Sequence, residues 1–296
     1  MPDAPTSGLA VIDKPAGWTS HRVVGRVRRL VGTRKVGHAG TLDPMATGIL
    51  VIGIGKATRL LGYLALSDKA YSATVRLGIS TVTDDAEGEV VEAAGASGLT
   101  NVDIEAAMAT LRGEILQVPS AVSAIKVEGM RSYARVRAGD QVDLRARPVQ
   151  VERFTSVAYR TSKVSGVPVL ELDVEVECST GTYVRALARD LGSALGVGGH
   201  LTALRRTRVG SFGVDEAQTL DEAEQGLQVS PLDRVVQDLF SALIMSEAQV
   251  SHIRHGRRLA NMTLPGTPTA LLDEARHFLA LYRQEGPDAI AEAVFL

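Results

Sequence analysis

Residues 170–192 read LELDVEVECSTGTYVRALARDLG, and the period of the apolar positions changes inside that stretch. Leu170, Leu172, Val174, Val176 and Cys178 alternate with Glu171, Asp173, Glu175 and Glu177, the two-residue repeat of a strand with one face in a core. After the turn Ser179, Thr180, Gly181, the apolar positions Val184, Leu187, Ala188 and Leu191 take helical spacing, with Thr182 near the start and Gly196 suited to the stop. A strand that turns at once into a helix places the chain in the α/β (α+β) class. It also puts Arg185 and Arg189, four apart, on one helix face.

Upstream of this unit, Thr19 or Ser20 can cap a helix with Val23, Val24, Val27, Leu30 and Val31 on one side and Arg22, Arg26 and Arg29 on another, ended by Gly32. Ile49 to Ile54 reads as a short buried strand and Tyr71 to Leu77 as an alternating one. The acidic run Asp84 to Glu89, DDAEGE, reads as a turn leading to a partner strand. Val102 to Leu111 has helical character, with Asn101 as its cap. Val118 to Pro148 is basic, carries Pro, Gly and Ser and holds no sustained period, so it reads as a long, partly ordered excursion, of a kind that is functional or disordered. Downstream of Phe240 the pattern breaks into short alternating segments separated by Gly and Pro. The expected organisation is a domain over 1–239 with a central mixed, largely antiparallel sheet, and a small β-rich domain over 240–296.

The 296 residues, 45% of them hydrophobic, supply core enough for either one large domain or two unequal ones. The single cysteine, Cys178, excludes an intrachain disulfide and a Cys-rich zinc site, and fits a reducing compartment. No segment approaches the roughly 18 to 20 uninterrupted apolar residues of a membrane span, and no basic region leads into a long apolar run at the N-terminus. The expectation is a cytoplasmic protein with no membrane partner. A net charge of −2 hides segregation, because Lys14 to Lys35 holds seven Lys or Arg and no acid. Further basic groups stand at Arg131, Arg135 and Arg137, at Arg205, Arg206 and Arg208, and at Arg254, Arg257 and Arg258. Acids gather at Asp84 to Glu92, along Glu171 to Glu177 and at Asp215 to Glu224. Segregated sign of this kind steers a polyanion.

Two motifs lead nowhere. GIGKAT at Gly53 to Thr58 has Leu50 where a phosphate loop needs Gly, and Ala57 where it needs Ser or Thr. His252 and His255 are spaced as metal ligands but have neither Cys nor acidic company. Neither a metal nor a cofactor is expected. The stronger signal is GHAGTLDPMATGIL, Gly37 to Leu50, where one carboxylate, Asp43, stands among small and apolar residues and precedes Pro44. Such an acid lies on an exposed turn or enters a partly dry pocket. In the pocket, desolvation raises its pKa unless the fold brings up a cation.

That stretch, with DKPAGWTS at Asp13 to Ser20, KAY at Lys69 to Tyr71 and STGTYVR at Ser179 to Arg185, resembles the TruB family of transfer RNA pseudouridine synthases in order and spacing. The likeness extends over residues 8 to 212. It implies the pseudouridine synthase fold, a PUA-like RNA-binding domain at the C-terminus to which Ala242 to Leu296 is only loosely similar, and isomerisation of uridine 55 in the T loop of transfer RNA. It implies Asp43 as nucleophile, Arg185 as the guanidinium that keeps it ionised and Tyr71 stacked on the uracil. By the same likeness Tyr183 and Leu204 line the uracil pocket, His38 displaces or holds the flipped nucleotide, and Lys14 supports the catalytic loop or a phosphate. Pro119 to Gly139 resembles the family's thumb loop, with Lys126, Arg131 and Arg135 as phosphate contacts, and Arg205 belongs to the RNA-binding set. The partner is then the T stem-loop of transfer RNA, bound by a monomer. Whether Asp43 attacks C6 of the base or C1′ of the sugar stays open. Two other classes compete: a noncatalytic RNA-folding module, in which Asp43 matters little, and a carboxylate glycosidase, which needs a second acid near the first.

Overall fold

The structure, a computed structural model, describes residues 7–120 and 144–296 and the backbone of 126–127 and 130–131. Among the described residues one ten-stranded sheet runs through the larger part of the chain. Its main strands are β1 (Gly8–Lys14), β2 (Val36–His38), β3 (Thr47–Ile54), β4 (Lys69–Leu77), β5 (Gly113–Gln117), β6 (Arg147–Val164), β7 (Val167–Cys178) and β8 (Gly199–Val209). The spatial order is β1, β3, β8, β4, β7, β6, β5, with β2 beside β3. Every one of these pairings is antiparallel except β3 with β8, so the sheet is mixed and largely antiparallel.

The alternation along β7 carries through to burial. Leu172, Val174 and Val176 are fully buried, in one core with α3 (Val184–Ala194), which follows β7 and crosses the sheet. The acidic face of β7 is not free to shape a long-range field. Glu171 pairs with Arg76, Asp173 with Arg160, Glu175 with Arg153 and Glu177 with Arg208, so the flanking strands neutralise the row. Exposed pairs of this type are worth little individually, and their main effect is to cancel sign. The acids along Glu171 to Glu177 therefore drop out of the segregation inferred from the sequence.

Helix α1 (Ser20–Val31) starts where Thr19 accepts a hydrogen bond from the Arg22 amide, and stops at Gly32 in the left-handed conformation. Val23, Val24 and Val27 bury against β1 and β3, while the arginines face outward. Helix α2 (Asn101–Ala109) is capped by Thr100, not Asn101: the Thr100 hydroxyl accepts from the Asp103 amide and the Asp103 carboxylate returns the bond. The acidic run read as a turn leading to a partner strand is one, with a feature the sequence did not show. It does connect two short strands, Ser80–Thr81 and Val90–Glu92, but Asp84 and Asp85 are buried. The basic excursion begins and ends on neighbouring strands, since Gln117 on β5 pairs with Arg147 on β6.

A second, four-stranded sheet holds β9 (Ser241–Ile244), β10 (Thr269–Leu272), β11 (Phe278–Glu285) and β12 (Asp288–Val294). It shares a core with the large sheet. Leu272, Phe278, Leu281 and Phe295 cluster with Leu9, Val11, Leu64 and Val236, and Lys56 Nζ donates to the Phe295 carbonyl at 2.7 Å. Among the described residues no helix is long and apolar enough to cross a membrane.

Candidate active site

Asp43 sits on the loop between β2 and β3, and that loop is pinned from below at three points. Ser20, the first residue of α1, receives the Leu42 amide at 2.9 Å and donates to the Leu42 carbonyl at 3.2 Å. Lys14 is fully buried and directs Nζ to the carbonyls of Pro15, Trp18 and Pro44 at 2.7–3.1 Å. Burial lowers the Lys14 pKa to about 8. Arg206 Nη2 donates to the Gly40 carbonyl at 3.2 Å. A loop held at positions 40, 42 and 44 offers the Asp43 carboxyl in one place.

That place is the wall of a cleft of about 310 Å³, within the size range of small-ligand sites. The loop contributes Gly40 to Asp43, β4 contributes Lys69 and Tyr71, the turn into α3 contributes Thr180 to Arg185, and β8 contributes Leu204 and Arg206. Arg185 Nε meets Asp43 Oδ2 at 2.9 Å across 142 residues of sequence, the Arg185 side chain being 5% and the Asp43 side chain 36% exposed. Burial raises the Asp43 pKa, Arg185 pulls it back, and Asp85 raises it again. The net effect of these opposed influences is a pKa above the ordinary carboxylate value.

Arg185 is itself aimed. Its Nη1 donates to the Thr83 carbonyl at 2.8 Å and to Asp85 Oδ2 at 3.2 Å. Asp85 accepts in addition from the Thr83 hydroxyl and the Glu87 amide, so the turn that carries it is ordered around the guanidinium. Arg189, one helical turn on, pairs with Asp84 at 3.2 Å. Asp85→Asn should lower the rate of a reaction carried by Asp43 by about 10²-fold through misorientation of Arg185. It should also move the acid limb of the pH–rate profile to lower pH, because the charge removed is one that raises Asp43. A limb that moves upward would contradict this arrangement.

Tyr71 is buried on β4 opposite Arg206 on β8, and the two side chains are hydrogen-bonded. Burial pushes its hydroxyl up to about 12. Tyr183 caps α3 and is fixed by Gln117, whose amide nitrogen donates to the Tyr183 carbonyl at 3.1 Å and whose oxygen accepts from the Tyr183 amide at 2.8 Å. The cleft therefore brings together Asp43, Tyr71, Tyr183, Arg185 and Leu204 of the residues singled out from sequence.

Three others stand apart from its wall. Lys14 lies beneath the loop with its three donors on carbonyls, which makes it loop support and not a phosphate contact. His38 ends β2 with its ring edge-on to His21 at 5.5 Å, its Nδ1 buried without a partner among the described residues and its pKa lowered by burial. Arg205 points away from Leu204 and Arg206, as alternate strand residues must, and makes a bidentate pair with Asp13 at 2.7 and 2.9 Å. Lys126 and Arg131 are opposite one another in the backbone register of a short antiparallel pair. Their side chains, and Arg135 altogether, lie outside the described residues.

Comparison with known proteins matches residues 28–184 to the TruB family pseudouridylate synthase N-terminal domain and residues 185–244 to the tRNA pseudouridylate synthase B C-terminal domain. The chain belongs to the TruB family of pseudouridylate synthases. The tRNA pseudouridine synthase B of Arthrobacter sp. (strain FB24) is 59% identical over 264 residues, 89% of this chain and 86% of that protein. The protein of the same name from Mycobacteroides abscessus is 56% identical over 281 residues, 95% of this chain and 93% of that one. Among solved structures, a Cbf5-Nop10-Gar1 complex matches with a TM-score of 0.67 at 26% identity, covering 98% of this chain and 85% of that one. An H/ACA RNP bound to a substrate RNA containing 2′-deoxyuridine matches with a TM-score of 0.66 at 25% identity and the same coverage. The junction between the two TruB family models, at 184 and 185, falls within the fold of the large sheet, whose β8 follows it.

Four contributors in and around the site were not singled out from sequence: Asp85, Gln117, Lys69 and Arg206. The last two carried a signal. Lys69 lies two residues before Tyr71, and Arg206 two after Leu204, so each shares a strand face with a pocket residue.

Proposed function

We propose that this TruB family member isomerises uridine 55 in the T loop of transfer RNA to pseudouridine, with Asp43 as the nucleophile acting on a base flipped out of its loop. The observation that carries the reading is the Asp43–Arg185 pair in the wall of a cleft floored by a buried tyrosine. The reaction breaks the bond from C1′ to N1, turns the uracil while it is held and joins C5 to C1′. N1 gains a proton and C5 loses one, so product and substrate are isomers. One ionised carboxylate divides this into covalent addition and release. Arg185 opposes the rise in Asp43 pKa that burial imposes, and so favours the anion.

Tyr71, Tyr183 and Leu204 form an aromatic and apolar enclosure of the kind that receives an extruded base and replaces the stacking it leaves. The outward arginines of α1 supply charge for the phosphates of the T arm, and we assign the sheet from Ser241 onward, as a PUA-like unit, to a further stretch of the same RNA. The test is release of tritium from a T-arm hairpin carrying uridine labelled at C5. Release with one tritium lost per pseudouridine formed supports the reading, and a hairpin bound but unchanged over many hours would refute it. A pure RNA-folding module would bind and release no tritium.

A further inference from the structure

Besides Arg185, which pairs with Asp43, three buried cations lie in or beside this cleft, and their hydrogen bonds separate them. Lys14 spends all three ammonium protons on carbonyls and stands outside the wall. Arg206 is occupied by the Ile49 carbonyl at 2.8 Å, the Gly40 carbonyl at 3.2 Å and the Tyr71 hydroxyl. Lys69 is different. It is 7% exposed, lies in the wall, and donates to only two carbonyls, Ala65 at 3.0 Å and Ser67 at 2.6 Å. An ammonium has three donors, so among the described residues one N–H of Lys69 has no acceptor.

The surroundings point that donor at the cleft. Lys69 and Tyr71 share the inward face of β4, and Arg206 is the cross-strand partner of Tyr71. Gly40, whose φ of +90° is one that L side chains rarely adopt, lies over both cations: a Cβ there would be in ordinary van der Waals contact with Lys69 Cε at 3.6 Å and Arg206 Nη1 at 3.5 Å. Neither cation forms a salt bridge with a carboxylate among the described residues. A buried charge without a counter-ion is costly. Such a site is arranged for an anionic oxygen that arrives with the substrate.

The reaction generates one. If the C1′–N1 bond breaks first, its electron pair stays with the base and spreads from N1 over O2 and O4. If Asp43 adds at C6 first, the displaced pair moves onto the O4 carbonyl. On either route a uracil oxygen becomes negative, and the charge is lost again when C5 has bonded to C1′, its proton has left and N1 has been protonated. We propose that Lys69 is a catalytic residue, donating its remaining N–H to a carbonyl oxygen of the uracil as that charge develops, with Arg206 as the positioning residue that holds Tyr71 against the base. The inference rests on the function proposed above. Burial, reinforced by Arg206, lowers the Lys69 pKa to about 8, while Cys178 and Asp68, the other titratable groups facing it, act weakly in the opposite direction. Lys69 is therefore charged at neutral pH and loses its charge in mild alkali.

The experiment compares the full-length wild type with Lys69→Met and Lys69→Arg on the C5-tritiated T-arm hairpin, measuring single-turnover rate, affinity and its salt dependence. Lys69→Met should bind within about twofold with an unchanged salt slope and react about 10²- to 10³-fold more slowly. Lys69→Arg should react faster than Lys69→Met, and the alkaline limb expected near 8 for wild type should be displaced upward, a readout available even if Lys69→Met does not fold. A Lys69→Met rate within about threefold of wild type would overturn the proposal. So would a loss confined to affinity with a salt slope shallower by about one contact, the mark of a phosphate partner. Absence of tritium release from wild type would instead sink the function itself, so the two failures are distinct.

Discussion

Asp43→Asn is expected to abolish isomerisation, with the single-turnover rate on the T-arm hairpin falling on the order of 10⁵-fold or more, as loss of a covalent nucleophile does. The amide keeps the size of the carboxyl and lacks the anion. The site around it should survive, because Arg185 keeps Asp85 and the Thr83 carbonyl, and the loop keeps its anchors to Ser20, Lys14 and Arg206. Affinity for the hairpin should therefore stay near that of wild type. Tritium release measured beside filter binding checks both halves. Product formed within tenfold of the wild-type rate would remove Asp43 from the chemistry and require a different nucleophile.

Arg185→Met carries the second large effect, in two separable parts. Without the guanidinium, burial and Asp85 act on Asp43 unopposed by their strongest counterweight, so its pKa rises further. A reaction that needs ionised Asp43 is lost as pH falls through that pKa. The acid limb should thus stand at higher pH than in wild type, and the rate at neutral pH should fall about 10³-fold. The substitution also strands the Asp85 carboxylate, 5% exposed, at a cost of about 3–5 kcal/mol in stability. Arg185→Met combined with Asp85→Asn should regain much of that stability, read from urea denaturation, and remain slow. Recovery of rate together with stability would mean that Arg185 serves the fold alone. Arg185→Lys should not rescue either part, since one ammonium cannot span Asp43, Asp85 and the Thr83 carbonyl.

Local periodicity made much of this molecule legible. The strand ending at Cys178, the helix that follows it and α1 with its glycine stop are decided by neighbours in sequence, and the structure has them. Asp43 stood out because its surroundings are apolar. What sequence hid are the long-range pairings. The acids of β7 looked solvent-facing because Arg76, Arg153, Arg160 and Arg208 reach them from other strands. Asp85 looked like turn punctuation because its partner stands 100 residues away. Lys69 and Arg206 were within reach of a two-residue period, had it been carried from Tyr71 and Leu204 to their neighbours on the same face.

The order of strands in the large sheet sets a timetable for the ribosome. β3 and β4 are made early, yet the position between them belongs to β8, in which Arg206 stands against Gly48 on one side and Tyr71 on the other. Until that late strand emerges, the nascent chain carries two unpaired apolar edges facing a gap. Gly48 marks how closely the gap is filled, at φ +97° with an imagined Cβ only 2.2 Å from the Arg206 carbonyl oxygen. Half-made chains are therefore natural clients for chaperones, because open strand edges recruit one another. The cleft wall can be completed only after β8, which supplies Leu204 and Arg206, has been made.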